Sequence, residues 1–357
     1  MLMDREITAN SEYDEWSIQS ENWLSEASKL QKPRLVRERN SNALIVTGHG
    51  ASMGIDKGAL VIRDGLTHYP QQRQTHRFFK GDLNLPRCIM LLDGSGSLSF
   101  ETLSWLAEQE VALARIDWRG KVAIVASSSG YASSFEKIAW QRHTAKNMPA
   151  RVLFSIDLIG RKLQSSIETL EIQFAQSALR DKAIGKIQNC LDDLKRPDIA
   201  DVSAVRIIEG IAAFVYFAAW VELKIEWKGT GQYPIPDHWR QYRTRSSLAT
   251  GKKAENRAAS HPVNAMLNYA YKVKQAHLQI AAIGNGYDPT IGVMHHGKKG
   301  NAAFIFDMIE PERPLIDNII LAFVQSRTFS GADFIIRSDG ACRLSPQLAK
   351  VIASLVI

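Results

Sequence analysis

Cysteine is scarce in this sequence: Cys88, Cys190 and Cys342 are the only three among 357 residues. Few, widely spaced and odd in number, they suggest neither a disulfide framework nor a cysteine zinc cluster, and they suit a reducing cytoplasm. Long apolar runs are missing too. The longest strongly apolar stretch, residues 210–221, falls well short of the ~20 residues that cross a bilayer and is bracketed by Glu209 and Glu222, so it reads as a buried core helix and no membrane is expected. The opening Met-Leu-Met-Asp-Arg-Glu has no apolar signal core, so secretion is not expected. No internal repeat, low-complexity tract or nucleotide-hydrolysis loop is present. Residues 48–54, Gly-His-Gly-Ala-Ser-Met-Gly, depart from dinucleotide-binding spacing and read as a glycine-rich turn within a β pattern. Ser127-Ser128-Ser129-Gly130 lacks the glycine of a nucleophile elbow and reads as a loop.

Positive charge is in modest excess, 44 Lys and Arg against 37 Asp and Glu for a net +7, which is compatible with a polyanionic partner. Single cores rarely grow past roughly 250–300 residues, so two domains are expected. Residues 1–41 form a polar extension in which Trp16, Trp23, Leu24, Ala27 and Leu30 recur at helical spacing. On a helix, Trp16, Trp23 and Leu30 drift only ~20° per step and make a ridge that must be covered. The chain itself is one candidate cover; a contact with a second protomer or another subunit is the expectation here. From 42 to 130, short apolar runs at 43–47, 58–62, 88–92 and 122–126, with turn signals at Asp64-Gly65 and Asp93-Gly94, predict a small, mostly antiparallel β-rich domain. Within it Ser99 reads as the N-cap of a helix striped by Leu103, Leu106, Ala107 and Leu113, with Glu101 favourable to the dipole. Residues 131–357 carry helical patterns at about 151–194, 202–227 and 261–284. The fold class is therefore α+β, a β-rich N-terminal domain followed by a mainly α-helical catalytic domain.

Between 238 and 257 the cations Arg240, Arg243, Arg245, Lys252, Lys253 and Arg257 face only Glu255, and Ser246, Ser247 and Gly251 predict a loop. Trp239 and Tyr242 between the cations offer stacking surfaces, so nucleic-acid backbone contact is expected, joined by Lys298 and Lys299. Glu209 sits where an apolar helix prefers Leu or Ala, and a buried carboxylate must be paired, neutralised or metal-bound. His295 and His296 are adjacent, so on regular backbone only one serves a given metal. Asp307 and Glu310 are spaced for one helical face, and Pro311 suits a helix start. Each has an ordinary reading on its own: a structural ion pair, a surface or core histidine, first-turn charges. Together, Glu209, His295 and Glu310 form a mixed oxygen and nitrogen set suited to a hard or borderline divalent cation, the kind that serves phosphoryl transfer.

The segments carrying these residues resemble the CRISPR adaptation integrase family, the Cas-one proteins. The family's Glu-Gly-Asn-Ala-Ala motif is matched by Glu209-Gly210-Ile211-Ala212-Ala213, and its Pro-x-Asn-Ala-x-Leu segment by residues 262–271. Its Gly-Leu-Asp-Pro-x-x-Gly-Phe-x-His segment is matched by residues 286–295, and its Leu-Asp-Leu-Met-Glu-x-Phe-Arg-Pro segment by residues 306–314. Ile211, Tyr287 and Glu312 depart from the pattern without removing a ligand, and the resemblance covers about residues 43–345. It implies that Glu209, His295 and Glu310 hold a catalytic Mg²⁺ or Mn²⁺, with Asp307 outside them orienting a ligand or water. It also implies a metal-dependent DNA integrase/endonuclease of prokaryotic antiviral defence, inserting spacer DNA into a CRISPR array by 3′-hydroxyl attack on a phosphodiester. Protospacer and repeat DNA, a homodimer and the small Cas-two subunit are the implied partners, in a prokaryotic cytoplasm. Other readings are a stand-alone or transposon-associated integrase, a general metal nuclease, and a non-catalytic DNA-binding scaffold.

Overall fold

The computed structural model describes residues 15–30, 38–40, 42–67, 73–117, 122–126, 134–245, 259–295 and 301–357. Its N-terminal part holds β1 (Leu44–Thr47), β2 (Ala51–Asp56), β3 (Ala59–Arg63), β4 (Thr75–Phe78), β5 (Cys88–Leu92), β6 (Gly96–Leu98), β7 (Ala112–Ile116) and β8 (Val122–Ala126). One sheet runs β1-β5-β7-β8, with β1/β5 and β5/β7 parallel and β7/β8 antiparallel. The other runs β4-β3-β2-β6, antiparallel except for β2/β6. The pairing is thus mixed rather than mostly antiparallel. The turn signals at Asp64-Gly65 and Asp93-Gly94 mark the ends of β3 and β5, and the β2/β3 hairpin turns at Lys57 and Gly58, both with positive φ, 50° and 79°. Turn signals say nothing about a crossover, and α2 (Phe100–Glu108) is one that lays β7 parallel to β5.

The glycine-rich 48–54 segment is a turn leading into β2. Gly48 has φ +88°, and a Cβ there would stand 2.7 Å from the Gly65 backbone, so the crossing admits no side chain. Ser99 caps α2, its hydroxyl accepting from the Thr102 N–H. The helix buries Thr102, Trp105 and Leu106, while Leu103 and Ala107 turn outward and Leu113 belongs to β7; the expected stripe was out of phase.

α4 (Met148–Gln173), α5 (Ala178–Asp193), α6 (Val202–Ala219), α7 (Pro262–Gly284), α8 (Ala303–Ile309), α9 (Glu312–Gln325) and α10 (Pro346–Leu355), preceded by α3 (Phe135–Lys146), build the larger part. The single pattern expected at 151–194 breaks at 174–177, where the Ser177 hydroxyl caps α5. Two short pairs, β9 (Glu226–Lys228) with β10 (Thr328–Ser330) and β11 (Phe334–Ile336) with β12 (Cys342–Leu344), interrupt the helices. The first sheet serves both halves. Ile45, Met90 and Ala114 join the helical core, whereas their neighbours Val46, Ile89 and Leu113 join the core under α2 and the second sheet. Strand side chains alternate between faces, and here both faces are covered, which explains the continuous apolar runs.

α1 (Glu15–Lys29) lies against the helical part of its own chain. Trp23 is 5% exposed, packs on Phe323 and Phe329, and donates its indole N–H to Asp333 Oδ1 at 2.6 Å. Glu26 pairs with Arg327, and Trp16 meets Tyr233 edge-on. The middle of the ridge, at Trp23 and Ala27, finds its cover within the chain, while Trp16 and Leu30 are half-buried. Trp23→Ala should destabilise the fold by about 3–5 kcal/mol, read from denaturant midpoints, and an unshifted midpoint would refute this packing role.

Val202–Glu222 is long and apolar enough, by length and composition, to cross a membrane. It packs on α4 and α5 instead. Nor is it the wholly buried helix expected: Val205, Ala212, Tyr216 and Ala219 face the core, while Ile207, Ile211 and Phe214 stand exposed.

Candidate active site

Glu209 lies midway along α6, which Asp201 starts by accepting from the Ala204 N–H. Glu310 lies where Pro311 separates α8 from α9. The two carboxylates meet on one cation. Lys162 of α4 pairs with Glu209 and lies 2.6 Å from Glu310 Oε2. Side-chain exposure is 13% for Lys162, 20% for Glu209 and 6% for Glu310, so the group is largely dry. Arg313, in the first turn of α9, adds a second cation 3.2 Å from Glu310 Oε1. Burial pushes the Glu310 carboxyl up, but Lys162 and Arg313 outweigh it and hold the pKa down at about 2. Burial likewise opposes the Lys162 ammonium, and Glu310 and Glu209 overcome it, leaving its pKa above the usual lysine value.

His295 closes the segment after α7, and Asp307 positions it. The Asp307 side chain is fully buried and accepts the backbone N–H groups of Val293 (2.6 Å), Met294 (3.1 Å) and His295 (2.9 Å). His295 Nδ1 lies 2.8 Å from the same carboxylate, so Nε2 is the ring nitrogen left for a ligand. Arg151 of α4 holds the segment from the other side through the carbonyls of Val293 (2.7 Å) and Met294 (3.0 Å). Gly292 is required because a Cβ there would fall 2.3 Å from the His295 carbonyl oxygen. Asp307 and Glu310, expected on one helical face, thus serve different partners: one holds the histidine segment, the other Lys162 and Arg313. Among the described residues, no three His, Cys, Asp or Glu side chains form a ready-made cation cage.

A cavity of about 270 Å³ adjoins the carboxylates, lined among others by Lys162, Glu209, Arg245, Glu310, Arg313 and Asp317. At its wall Asp317 of α9 accepts from Tyr216 (3.1 Å) and Tyr271, and Arg313 stacks 5.0 Å above the Tyr271 ring. Burial raises the Asp317 pKa to about 6 against the two tyrosine hydrogen bonds and Arg245. The folded chain therefore holds a proton at pH 4–6 that the unfolded chain releases, and stability falls as pH rises through that window. Asp317→Asn should gain on wild type by on the order of 3 kcal/mol between pH 4 and pH 7, measured by denaturant unfolding. A difference independent of pH would contradict the buried, ionising carboxylate.

The structure alters the expected cationic loop. Trp239 and Tyr242 are buried, bonded to the Ser260 carbonyl and to Asn264, and present no stacking face. Arg240 and Arg243 are exposed. Arg245 is half-buried, donating to Asn268 (2.6 Å) and lying over the Phe217 and Tyr271 rings, so it belongs to the cavity rather than the surface. Lys252, Lys253, Arg257, His296, Lys298 and Lys299 lie outside the described residues. Lys162 went unnoticed in the sequence. Its spacing from Ile159 and Ser166 put it beside the buried stripe of α4, whereas its neighbour Arg161 is exposed.

A family model described as CRISPR associated protein Cas1 matches residues 44–356. The chain belongs to the Cas1 family. The CRISPR-associated endonuclease Cas1 2 of Pyrobaculum aerophilum is 23% identical over 283 residues, covering 78% of this chain and 81% of that relative. A casposase bound to integration product matches with a TM-score of 0.69 at 23% identity, over 88% of this chain and 81% of that one. A Cas6-RT-Cas1–Cas2 complex matches with a TM-score of 0.65 at 15% identity, over 91% of this chain and 33% of that one. Such identities report a shared fold. The match begins after α1, so that helix lies outside the region matched by the family model.

Proposed function

We propose that this protein is a divalent-metal-dependent DNA integrase/endonuclease that inserts spacer DNA into a CRISPR array. The observation carrying it is the convergence of Glu209 and Glu310, from separate helices, on one cationic centre, in a chain of the Cas1 family. The donor set fits a hard or borderline cation: the Lys162 ammonium stands in for positive charge between two carboxylates, and an imidazole is oriented by a buried carboxylate. Glu209, Glu310 and His295 Nε2 would hold Mg²⁺ or Mn²⁺, which when bound polarises the phosphate and lowers the proton affinity of the attacking hydroxyl. Asp307 keeps His295 in place. Arg313 and Arg245, on the cavity wall, supply donors for phosphate oxygens. A 3′-hydroxyl attacks phosphorus as the opposite oxygen leaves; one phosphodiester forms as another breaks, so positioning rather than energy input is required.

Protospacer and repeat DNA, a second protomer and the small Cas2 subunit are the proposed partners, in a prokaryotic cytoplasm; the Cas2-containing neighbour supports the subunit. Arg240, Arg243, Lys252, Lys253, Lys298 and Lys299 are proposed to track the DNA backbone. Neutralising four of them should flatten the salt dependence of duplex binding by roughly 0.9 log units for each phosphate that loses its cation, and an unchanged slope would remove them from the interface. The deciding experiment incubates the protein with a short 3′-hydroxyl duplex and supercoiled plasmid, with and without Mn²⁺. Covalent joining that needs the metal is expected, and its absence in every condition would reject the reading. The alternative is a stand-alone integrase that works without the small subunit; the casposase neighbour is bound to integration product. Joining by this chain alone would select the alternative.

A further inference from the structure

We propose that Lys162 is the resident counter-cation of Glu209 and Glu310, a positioning residue that a divalent ion must displace, and that phosphate entering the adjoining cavity draws it away. Metal and DNA then load together. This rests on the metal-dependent reading of the site. The ammonium lies against both carboxylates, whereas Arg313 reaches Glu310 alone, so without a metal ion Lys162 is the cation that holds the two glutamates together in a site with little water to screen them. A divalent ion held by the same oxygens needs the same space and carries the same sign of charge. One of the two must leave.

The structure supplies a destination. Lysine has three donors on a flexible four-carbon stem, so its head group can move without the helix moving. Lys162, Arg245 and Arg313 line the cavity, against Glu209, Glu310 and Asp317. Taken as formal charges these are three positive and three negative, so the lining has no surplus for an anion. Adding one divalent ion leaves a surplus of two, which suits a phosphodiester. Arg245 Nη1 is buried without a hydrogen-bond partner among the described residues, a donor that an anion in the cavity would satisfy. A phosphate there also gives Lys162 an alternative acceptor and frees Glu209 and Glu310. The two ligands favour each other, and linkage makes that coupling reciprocal.

Mn²⁺ binding to the full chain, followed by electron paramagnetic resonance of the free ion, tests this with and without a short 3′-hydroxyl duplex. Site-bound Mn²⁺ is taken as the difference from Glu209→Ala. Wild type should bind Mn²⁺ at least about fivefold more tightly with duplex than without. Lys162→Gln should bind it more tightly than wild type without duplex, by a similar factor, and gain little when duplex is added. A purely structural lysine would leave affinity unchanged or reduce it, and either result overturns the proposal. Should Lys162→Gln fail to fold, Lys162→Arg decides: a bidentate guanidinium clamps both carboxylates, so Mn²⁺ affinity drops below wild type, and an unchanged affinity overturns the proposal as well. If wild type takes up no Mn²⁺ in either condition, the metal-dependent reading itself is at fault.

Discussion

Replacing Glu209, His295 or Glu310 with alanine should lower DNA joining by about 10²- to 10³-fold or more while leaving duplex binding largely intact. Charge stabilisation at a reacting phosphate depends on a few fixed groups, and losing one costs on this scale. Duplex affinity instead comes from many backbone contacts spread over the surface. Glu310→Ala also leaves Lys162 and Arg313 without their shared carboxylate in a nearly dry setting, so its unfolding midpoint should fall most of the three. The check is a joining assay beside a binding assay on each variant. Wild-type joining by any one of them in Mg²⁺ would remove that residue from the site.

Asp307→Ala should act through a residue it does not replace. Three backbone N–H groups and the His295 ring lose their common acceptor, in a place where the carboxylate has no exposure to water. Each buried donor left unmade costs about 1–3 kcal/mol, so the stability loss should reach several kcal/mol. The histidine ring also loses its fixed orientation, which should weaken Mn²⁺ binding by about 10- to 100-fold. A metal titration on the folded variant separates the two effects. Unchanged Mn²⁺ affinity with lowered stability would make Asp307 a structural staple only.

How far the sequence could be read depended on the range of the interaction. Ser99, read as an N-cap, caps its helix through an N–H group three residues on, and such a feature needs only nearby residues. The parallel β5/β7 pairing, the break at 174–177 and the outward face of α2 depend on what lies across the core. Trp239 and Tyr242 show the limit: aromatic residues among cations read as a stacking surface, yet their indole and phenol groups found Ser260 and Asn264 inside the protein. The ridge of α1 was visible as a ridge. Its cover was not, because Asp333, Phe323 and Phe329 lie about three hundred residues away.

By itself the sequence showed that Glu209, His295 and Glu310 stand in segments resembling Cas1-family motifs, because motif order and residue chemistry are linear properties. It determined the α+β class, because apolar periodicity is local. Only the tertiary structure decided that Lys162 stands between the two glutamates, that Asp307 turns to the histidine segment rather than to Glu310, and that Arg245 leaves its charged loop for the cavity wall. Those choices bring together charges from α4, α6, α8 and α9, and a buried charge takes whichever partner the packing of the whole chain sets within reach.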